Sequence, residues 1–388
     1  MFHKRLGVGE ELLEPKLLDG KESELIKQYI KTVKIKLSEW LKALVEKETS
    51  EFIRREFCPD TDAEGLYILS GSIIIFKMFN QQIDVVSSSS KGSLLNDVVS
   101  ECISMFEEYQ KFWSDLLDEE FKKFQTKPTE SEAGLPEFII ALANDCYRST
   151  EFSENAIAKL EASSDEPYTQ QMTLKINSVS DGFLKLSKKA YTLLIDIILH
   201  DCRPAFIQMH CPQWYEQDIM RLIVGTLEDY SRDYQQHLTG HLFTKLVTDL
   251  IDKFVILYLE SMRNKQAKFK MPNAAERMRD DLKKCTDFFS TIKTAKRVIT
   301  SFDAIEKVII FVEANPRLAF VEFYNLWKNF QDIPYLYIEE LVNRRDDLEK
   351  GESKELLESA REKIKEGTKD GIAPNATVFS KVFMGKMK

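Results

Sequence analysis

The sequence predicts an all-α protein built as an elongated rod of consecutive antiparallel helical bundles, and three observations carry that expectation. The first is composition: of 388 residues only 14 are Gly and 11 Pro, while 43% are hydrophobic and 30% charged. That balance favours helices over strands and turns. The second is periodicity. Between Gln217 and Met262, apolar residues at Ile219, Leu222/Ile223, Leu227, Tyr230 and Tyr234 precede Gly240, and Leu242/Phe243, Leu246/Val247, Leu250/Ile251, Phe254/Val255 and Tyr258 follow it. Steps of three or four keep one broad stripe of a helix apolar. The stretch reads as two long amphipathic helices, or one helix with a weak point at Gly240. The third is size. No single helix hides such a stripe from water, so the rest of the chain must supply partner helices.

Taken in order, the first helix begins after Gly20, where the Lys-Glu-Ser-Glu string supplies first-turn acids and a capping Ser. Leu25, Tyr29, Val33, Leu37, Trp40/Leu41, Leu44/Val45 and Phe52 line one face. It stops near Cys58, because the Pro-Asp-Thr-Asp string at 59–62 is turn chemistry. Some ~35 residues at 1.5 Å each give a rod of about 50 Å. A second helix covers 63–86 and ends in the Ser-rich 87–93 connection; a third runs over 94–124, and 126–134 is a polar loop. A fourth starts at Pro136, suited to a first turn, and reaches 162. A fifth spans 169–199. The segment 200–218, with two prolines, interrupts the pattern, and the domain boundary is placed there: 1–205 and 206–388 as two helical-bundle domains. Shorter helices follow near 273–299, 301–314, 316–329, 334–350 and 352–366, and the stretch after Gly367 reads as poorly ordered.

Composition also narrows function. A net charge of −9 argues against a general nucleic-acid binder. The six cysteines (Cys58, Cys102, Cys146, Cys202, Cys211, Cys285) are widely spaced and read as reduced thiols of a cytosolic chain. The N-terminus lacks the apolar core of a secretory signal. No window of ~20 uncharged apolar residues occurs, so no transmembrane segment is expected. His200, Cys202, His210 and Cys211 do not match zinc-ligand spacing. His237 and His241 sit four apart, without the acidic base of a metalloprotease helix. Asp280–Asp281 and Asp346–Asp347 evoke the paired carboxylates of an all-α Mg-dependent diphosphate enzyme, the alternative reading. In both, the position four after the first Asp is a lysine or glutamate-flanked lysine (Lys284, Lys350), where a cation repels Mg. No phosphate-cradling, dinucleotide-binding or nucleophile-elbow motif occurs, and neither catalytic residues nor a cofactor are expected.

One charge feature stands out. Between Arg263 and Arg297 lie eleven cations: Arg263, Lys265, Lys268, Lys270, Arg277, Arg279, Lys283, Lys284, Lys293, Lys296 and Arg297. Four acids oppose them, for a net of +7 on an acidic chain. Such a segment suits an acidic partner helix or the headgroups of anionic membranes, against the plainer reading of a solvated helix face.

The Leu-Glu-Asp-Tyr string at 227–230, the apolar helix closing at 255–263, and the terminal FQDIPYLYIEELVNRRDDLEK at 330–350 together resemble the C-terminal region of the Sec-six subunit of the exocyst. The likeness is specific over the second half of the chain and only one of helical style over the first. It implies a non-catalytic subunit of a helical-rod tethering complex that holds secretory vesicles at the plasma membrane in exocytosis. It implies as partners the other exocyst subunits, a plasma-membrane SNARE of the SNAP-25 type and a Sec1/Munc18-type regulator. The expected localisation is cytoplasmic and peripheral at sites of secretion. Arg344 and Arg345 join the basic segment as a candidate partner-binding surface through the resemblance alone.

Overall fold

The computed structural model of the chain describes residues 22–88, 90–126, 134–369 and 375–382. In order they form α1 (Glu22–Arg54), β1 (Asp60–Thr61), β2 (Tyr67–Ile68), α2 (Gly71–Ser87), α3 (Ser93–Thr126), α4 (Leu135–Ser163) and α5 (Tyr168–Gln208). There follow α6 (Pro212–Glu216), α7 (Ile219–His237), α8 (Gly240–Ser261), α9 (Asn273–Ile292), α10 (Ala295–Glu313) and a 3-10 turn (Pro316–Leu318). The chain ends with α11 (Ala319–Asn329), α12 (Tyr335–Arg344), α13 (Lys350–Lys369) and α14 (Phe379–Val382). The expected all-α class is the class observed. The chain divides into two compact units, Met1–Ala190 and Tyr191–Lys388. The dividing point falls inside α5, which supplies residues to both.

In the first unit α1 lies along α3, and α2 packs on α3 and α4. The α1 stripe read from the sequence is the buried one from Val33 onward, through Leu37, Leu41, Leu44 and Phe52, whereas Leu25 is exposed. Phe76, Phe79, Phe106, Tyr109 and Phe183 form one aromatic cluster. Phe52, Trp113 and Phe138 form another. Two carboxylates are built into this core. Asp145 accepts from Ser72 N–H (3.0 Å), Ser72 Oγ (2.6 Å) and Arg148 (2.7 Å), and Glu48 accepts from Tyr109 Oη at 2.9 Å. The second helix starts later than the sequence suggested, at Gly71. Asp62 Oδ1 accepts from the N–H groups of Glu64 and Leu66, Gly65 takes φ +85°, and the turn closes a hairpin pairing Asp60 with Ile68. The sequence-predicted polar loop at 126–134 falls mostly outside the described residues.

In the second unit, α7 and α8 bury the predicted stripe, with the break at Leu238–Thr239 and Gly240 opening α8. Leu222 is the departure: it faces out while Met220 and Val224 face in. Phe206, Phe254, Phe289 and Phe302 form a ring ladder, 5.4–6.0 Å between centroids, joining the end of α5 to α8, α9 and α10. The interruption expected at 200–218 is narrower than predicted. Helix α5 continues through Pro204 to Gln208, since a proline one turn from the helix end removes a single ladder bond. His210 then turns the chain at φ +62° into α6. The helix expected over 273–299 is two, because extended backbone at Lys293 and Thr294 separates α9 from α10. Past α13, the stretch expected to be poorly ordered contains α14, whose Phe379 and Val382 are buried against the unit. Among the described residues no helix is long and apolar enough to cross a membrane.

Candidate functional site

The eleven cations of the basic segment do not make one uniform face. Acids from outside the segment, together with Asp280 and Asp287 within it, meet them. Arg263 pairs with Glu340, Arg279 with Glu313 (Nε–Oε2 2.8 Å), Lys284 with Asp218 (2.6 Å) and Asp280 (2.7 Å), and Arg297 with Asp252 (3.4 Å). Lys283 pairs with Asp287 at 2.8 Å across one helical turn. Lys293 donates to Thr248 Oγ1 at 2.8 Å, and Arg277 donates to the Gln217 carbonyl (2.8 Å) while lying 5.2 Å from the Trp214 ring. Among the described residues this leaves Lys265, Lys268, Lys270 and Lys296 exposed without an ion pair. Three of the four lie on the strap between α8 and α9. The ammonium of Lys270 sits 5.1 Å from the Tyr215 ring, and Tyr215 Oη donates to the Lys268 carbonyl at 2.7 Å, which fixes the strap's course.

Arg344 and Arg345 turn inward, correcting their expected place on a surface. Arg344 donates to the carbonyls of Arg263 (2.6 Å), Asn264 (3.2 Å) and Glu340 (2.7 Å), so its fork closes the start of the strap onto α12. Arg345 is buried; it grips Asp347 through two bonds (2.9 and 2.8 Å) and donates to the Ala314 carbonyl at 2.7 Å. Asp346 accepts from Met271 N–H at 2.9 Å, and Phe269 forms a parallel bridge with Arg345. A guanidinium holds several carbonyls at once because its donors are fixed in a plane. The Arg-Arg-Asp-Asp string therefore ties the strap, α10 and α12 into one junction, and its donors are taken up inside the chain.

The remaining candidates are also dispersed. His210 is fully buried, with its ring edge-on to Trp214 and Tyr258. Burial, and secondarily the charge of Arg344, holds its pKa down to about 3, so it is neutral. Cys202 and Cys211 are buried, Cys211 Sγ donating to the Ile207 carbonyl at 3.5 Å. His237 ends α7 and His241 begins α8. Asp281 accepts from Trp214 Nε1 at 2.8 Å, and burial raises it to about 7. Asp280 faces Lys284. The two Asp pairs are engaged separately, and among the described residues no three His, Cys, Asp or Glu side chains group as for a metal ion. Sequence reasoning missed Asn264, whose amide donates to the carbonyls of Phe206, Ile207 and Met209 (3.1–3.2 Å) and caps α5. A lone Asn in a polar stretch gives no local signal of such a task. It also missed an open groove between α7 and α9, lined by Val224, Phe288 and Ile292 with Arg221, Glu228 and Lys284 at its rim.

Most of the segment's charges are thus matched within the chain, and among the described residues Lys265, Lys268 and Lys270 on the strap are exposed without an ion pair. The family model for exocyst complex component Sec6 matches residues 1–350. The chain belongs to the exocyst Sec6 family. The family the sequence resembled is thus the one shown. Exocyst complex component sec6 of Schizosaccharomyces pombe is 27% identical over 383 residues, covering 98% of this chain and 51% of that protein. SEC6 of Saccharomyces cerevisiae is 26% identical over 65% of this chain and 34% of its own length. The chain therefore spans about half the length, or less, of these Sec6 relatives. Among solved structures, the C-terminal domain of the exocyst subunit Sec6p aligns at TM-score 0.81 with 23% identity, over 93% of this chain and 96% of that domain. M-Sec aligns at 0.63 with 16% identity, over 98% and 61%. At these identities the likeness speaks to the fold, and the Sec6 fold is the one present.

Proposed function

We propose that the chain is a non-catalytic part of a Sec6 subunit, acting in exocytosis by helping to tether secretory vesicles to the plasma membrane. The observation that carries this reading is the Sec6 family match over residues 1–350. Within its second unit the open groove between α7 and α9 offers a surface for a partner. Partner helices bind grooves of this kind through apolar anchors within a charged rim. The partners proposed are the other exocyst subunits, a plasma-membrane SNARE of the SNAP-25 type and a Sec1/Munc18-type regulator, at sites of secretion. Titration of the purified chain against each of these proteins by calorimetry tests the reading. Saturable binding of at least one exocyst subunit is expected; binding of none sinks it.

The free lysines of the strap support a narrower reading, that Lys265, Lys268 and Lys270 meet an acidic partner surface. Their charges have no acid to neutralise them among the described residues, so they keep a field that an acidic face can use. Charge reversal at all three is expected to slow association with that partner. Liposomes of neutral and anionic lipid separate this from peripheral membrane association: salt-sensitive sedimentation with anionic vesicles alone would point to the membrane.

A further inference from the structure

Helix α13 sorts its charges by face. At ~100° per residue, Lys350, Lys354 and Arg361 fall within about 40° of one another. Glu352, Glu355, Glu362 and Glu366 lie roughly 120–200° further round the helix. The buried side, with Leu356 and Ala360, adjoins the cations on their other edge. The cation side borders an open groove against α12. Buried Val342 and half-buried Leu348 and Leu357 give the groove an apolar floor, and the three cations stand exposed along its rim. Arg361 lies over the Tyr335 ring at 5.2 Å, which keeps its guanidinium on that rim. Among the described residues, Glu358 is the one acid lining the groove. It is 3.8 Å from Lys354 in a pair 77% and 67% exposed, an attraction that water largely screens. Arg345 also borders the groove, but its fork is taken up by Asp347. Among the described residues neither Lys350 nor Arg361 has an ion pair.

The groove between α7 and α9 is different. Its rim cations are matched: Arg221 by Glu228 at 3.8 Å, Arg232 by Asp229 at 3.7 Å, and Lys284 by Asp218 and Asp280. The α12–α13 groove instead sets three rim cations against one rim acid, so the occupant complementary to it is anionic. The spacing of the cations decides its shape. Lys350 and Lys354 are one turn apart, about 6 Å along the axis, and Arg361 lies about 10 Å beyond. A single phosphate or carboxylate reaches one or two of these charges. A helix lying along α13 reaches all three while setting apolar side chains on the floor. We infer that the α12–α13 groove is the docking site for an acidic amphipathic helix of a partner protein. Its carboxylates face Lys350, Lys354 and Arg361, and an aliphatic side chain covers Leu348 and Leu357. The inference rests on the tethering reading only for which protein supplies the helix.

The test uses the full chain and a fluorescein-labelled helical peptide of about four turns. Its glutamates are separated by four and then seven residues, matching Lys350, Lys354 and Arg361, with leucines on the adjoining face. The peptide is titrated with the chain and anisotropy is read. Saturable binding is expected, weakening by at least about tenfold between ~0.05 and ~0.5 M salt. Glutamine in place of the glutamates should weaken it by about tenfold or more, as should the combined Lys350→Glu, Lys354→Glu and Arg361→Glu chain. That reversed chain should regain binding to a peptide with lysine in place of each glutamate, which a misfolded chain cannot do. If the triple reversal does not fold, as judged by circular dichroism, Lys350→Gln with Lys354→Gln reads the loss instead. Absence of saturable binding overturns the inference, as does equal binding of the glutamine peptide. Displacement of the peptide by an equal concentration of inorganic pyrophosphate also overturns it, because the groove would then be a small-anion site. So does sedimentation with anionic vesicles that needs the three cations while the peptide stays unbound, which would mark a membrane contact. Calorimetry with the exocyst subunits is read separately, so failure of the peptide leaves the tethering reading standing.

Discussion

Removing the acid from the Arg345–Asp347 pair should damage the protein more than removing the arginine. The Arg345 side chain is 1% exposed and Asp347 31% exposed. Asp347→Ala leaves the guanidinium charge buried, with only the Ala314 carbonyl (2.7 Å) and a long contact to the Phe311 carbonyl as partners. An uncompensated buried charge costs about 3–5 kcal/mol; with one strong carbonyl bond kept and the acid's edge already wet, about 3 kcal/mol is expected. Arg345→Met removes the charge, keeps most of the packed stem, and leaves Asp347 free to turn to water. Its cost is the charge-assisted bond to Ala314, about 1.5–2 kcal/mol. For a unit of this size each kcal/mol is worth roughly 2–4 °C in Tm. The acid deletion should therefore lower Tm by roughly 6–12 °C and the arginine replacement by roughly 3–8 °C. Thermal and urea unfolding followed by circular dichroism measure both. The reasoning is refuted if Arg345→Met is the worse of the two. It is also refuted if either substitution leaves stability unchanged while weakening partner binding, which would return Arg345 to the surface.

Other outcomes follow from the same kind of reasoning. A Cβ at Gly71 would lie 2.0 Å from Tyr109 Oη and 2.2 Å from Glu48 Oε1, so Gly71→Ala should cost about 2–3 kcal/mol by overpacking; an unchanged urea midpoint would show slack in that core. Burial raises Glu48 from 4.5 to about 8, so the folded chain keeps a proton that the unfolded chain releases. The stability this contributes is complete below about pH 4.5 and declines up to about pH 8, by at most about 1.4 kcal/mol per pH unit. Glu48→Gln should flatten that decline relative to the parent chain, and parallel pH profiles of the two urea midpoints would count against it. Reversing Lys265, Lys268 and Lys270 to Glu should shift stability by less than about 0.5 kcal/mol, since they make no ion pair among the described residues; a large loss of Tm would mean the strap depends on them.

What could be read in advance was local. The α7–α8 stripe and the α1 stripe from Val33 onward repeat every three or four residues, and burial follows that repeat directly. The late start of α2 was hidden because the Asp62 turn competes with helix through its own side chain, a contest that periodicity does not register. The basic segment was visible as a run of residues, but Glu313, Asp218, Asp252 and Glu340 reach it from elsewhere in the chain. A charge count along the sequence cannot include neighbours that only folding supplies. The Arg-Arg-Asp-Asp string makes a poor free surface because each of its four residues has a partner inside the unit. The docking of Phe379 depends on Phe330, Asp332 and Tyr337 meeting it, and nothing near residue 379 announces that.

The junction closed by Arg344 also sets an order of assembly at the ribosome. Its guanidinium holds the Arg263 carbonyl across 81 residues of chain. At roughly 5–20 residues per second, the strap leaves the tunnel about 4–16 s before the residue that fastens it. During that interval α8, the most continuously apolar helix of its unit, has been made while α12, which closes over it through Tyr337 and Arg344, has not. The unit is therefore exposed to chaperones and to premature association for a period fixed by its own topology. Synonymous changes that slow translation between codons 263 and 344 should lengthen that vulnerable period without altering the mature fold.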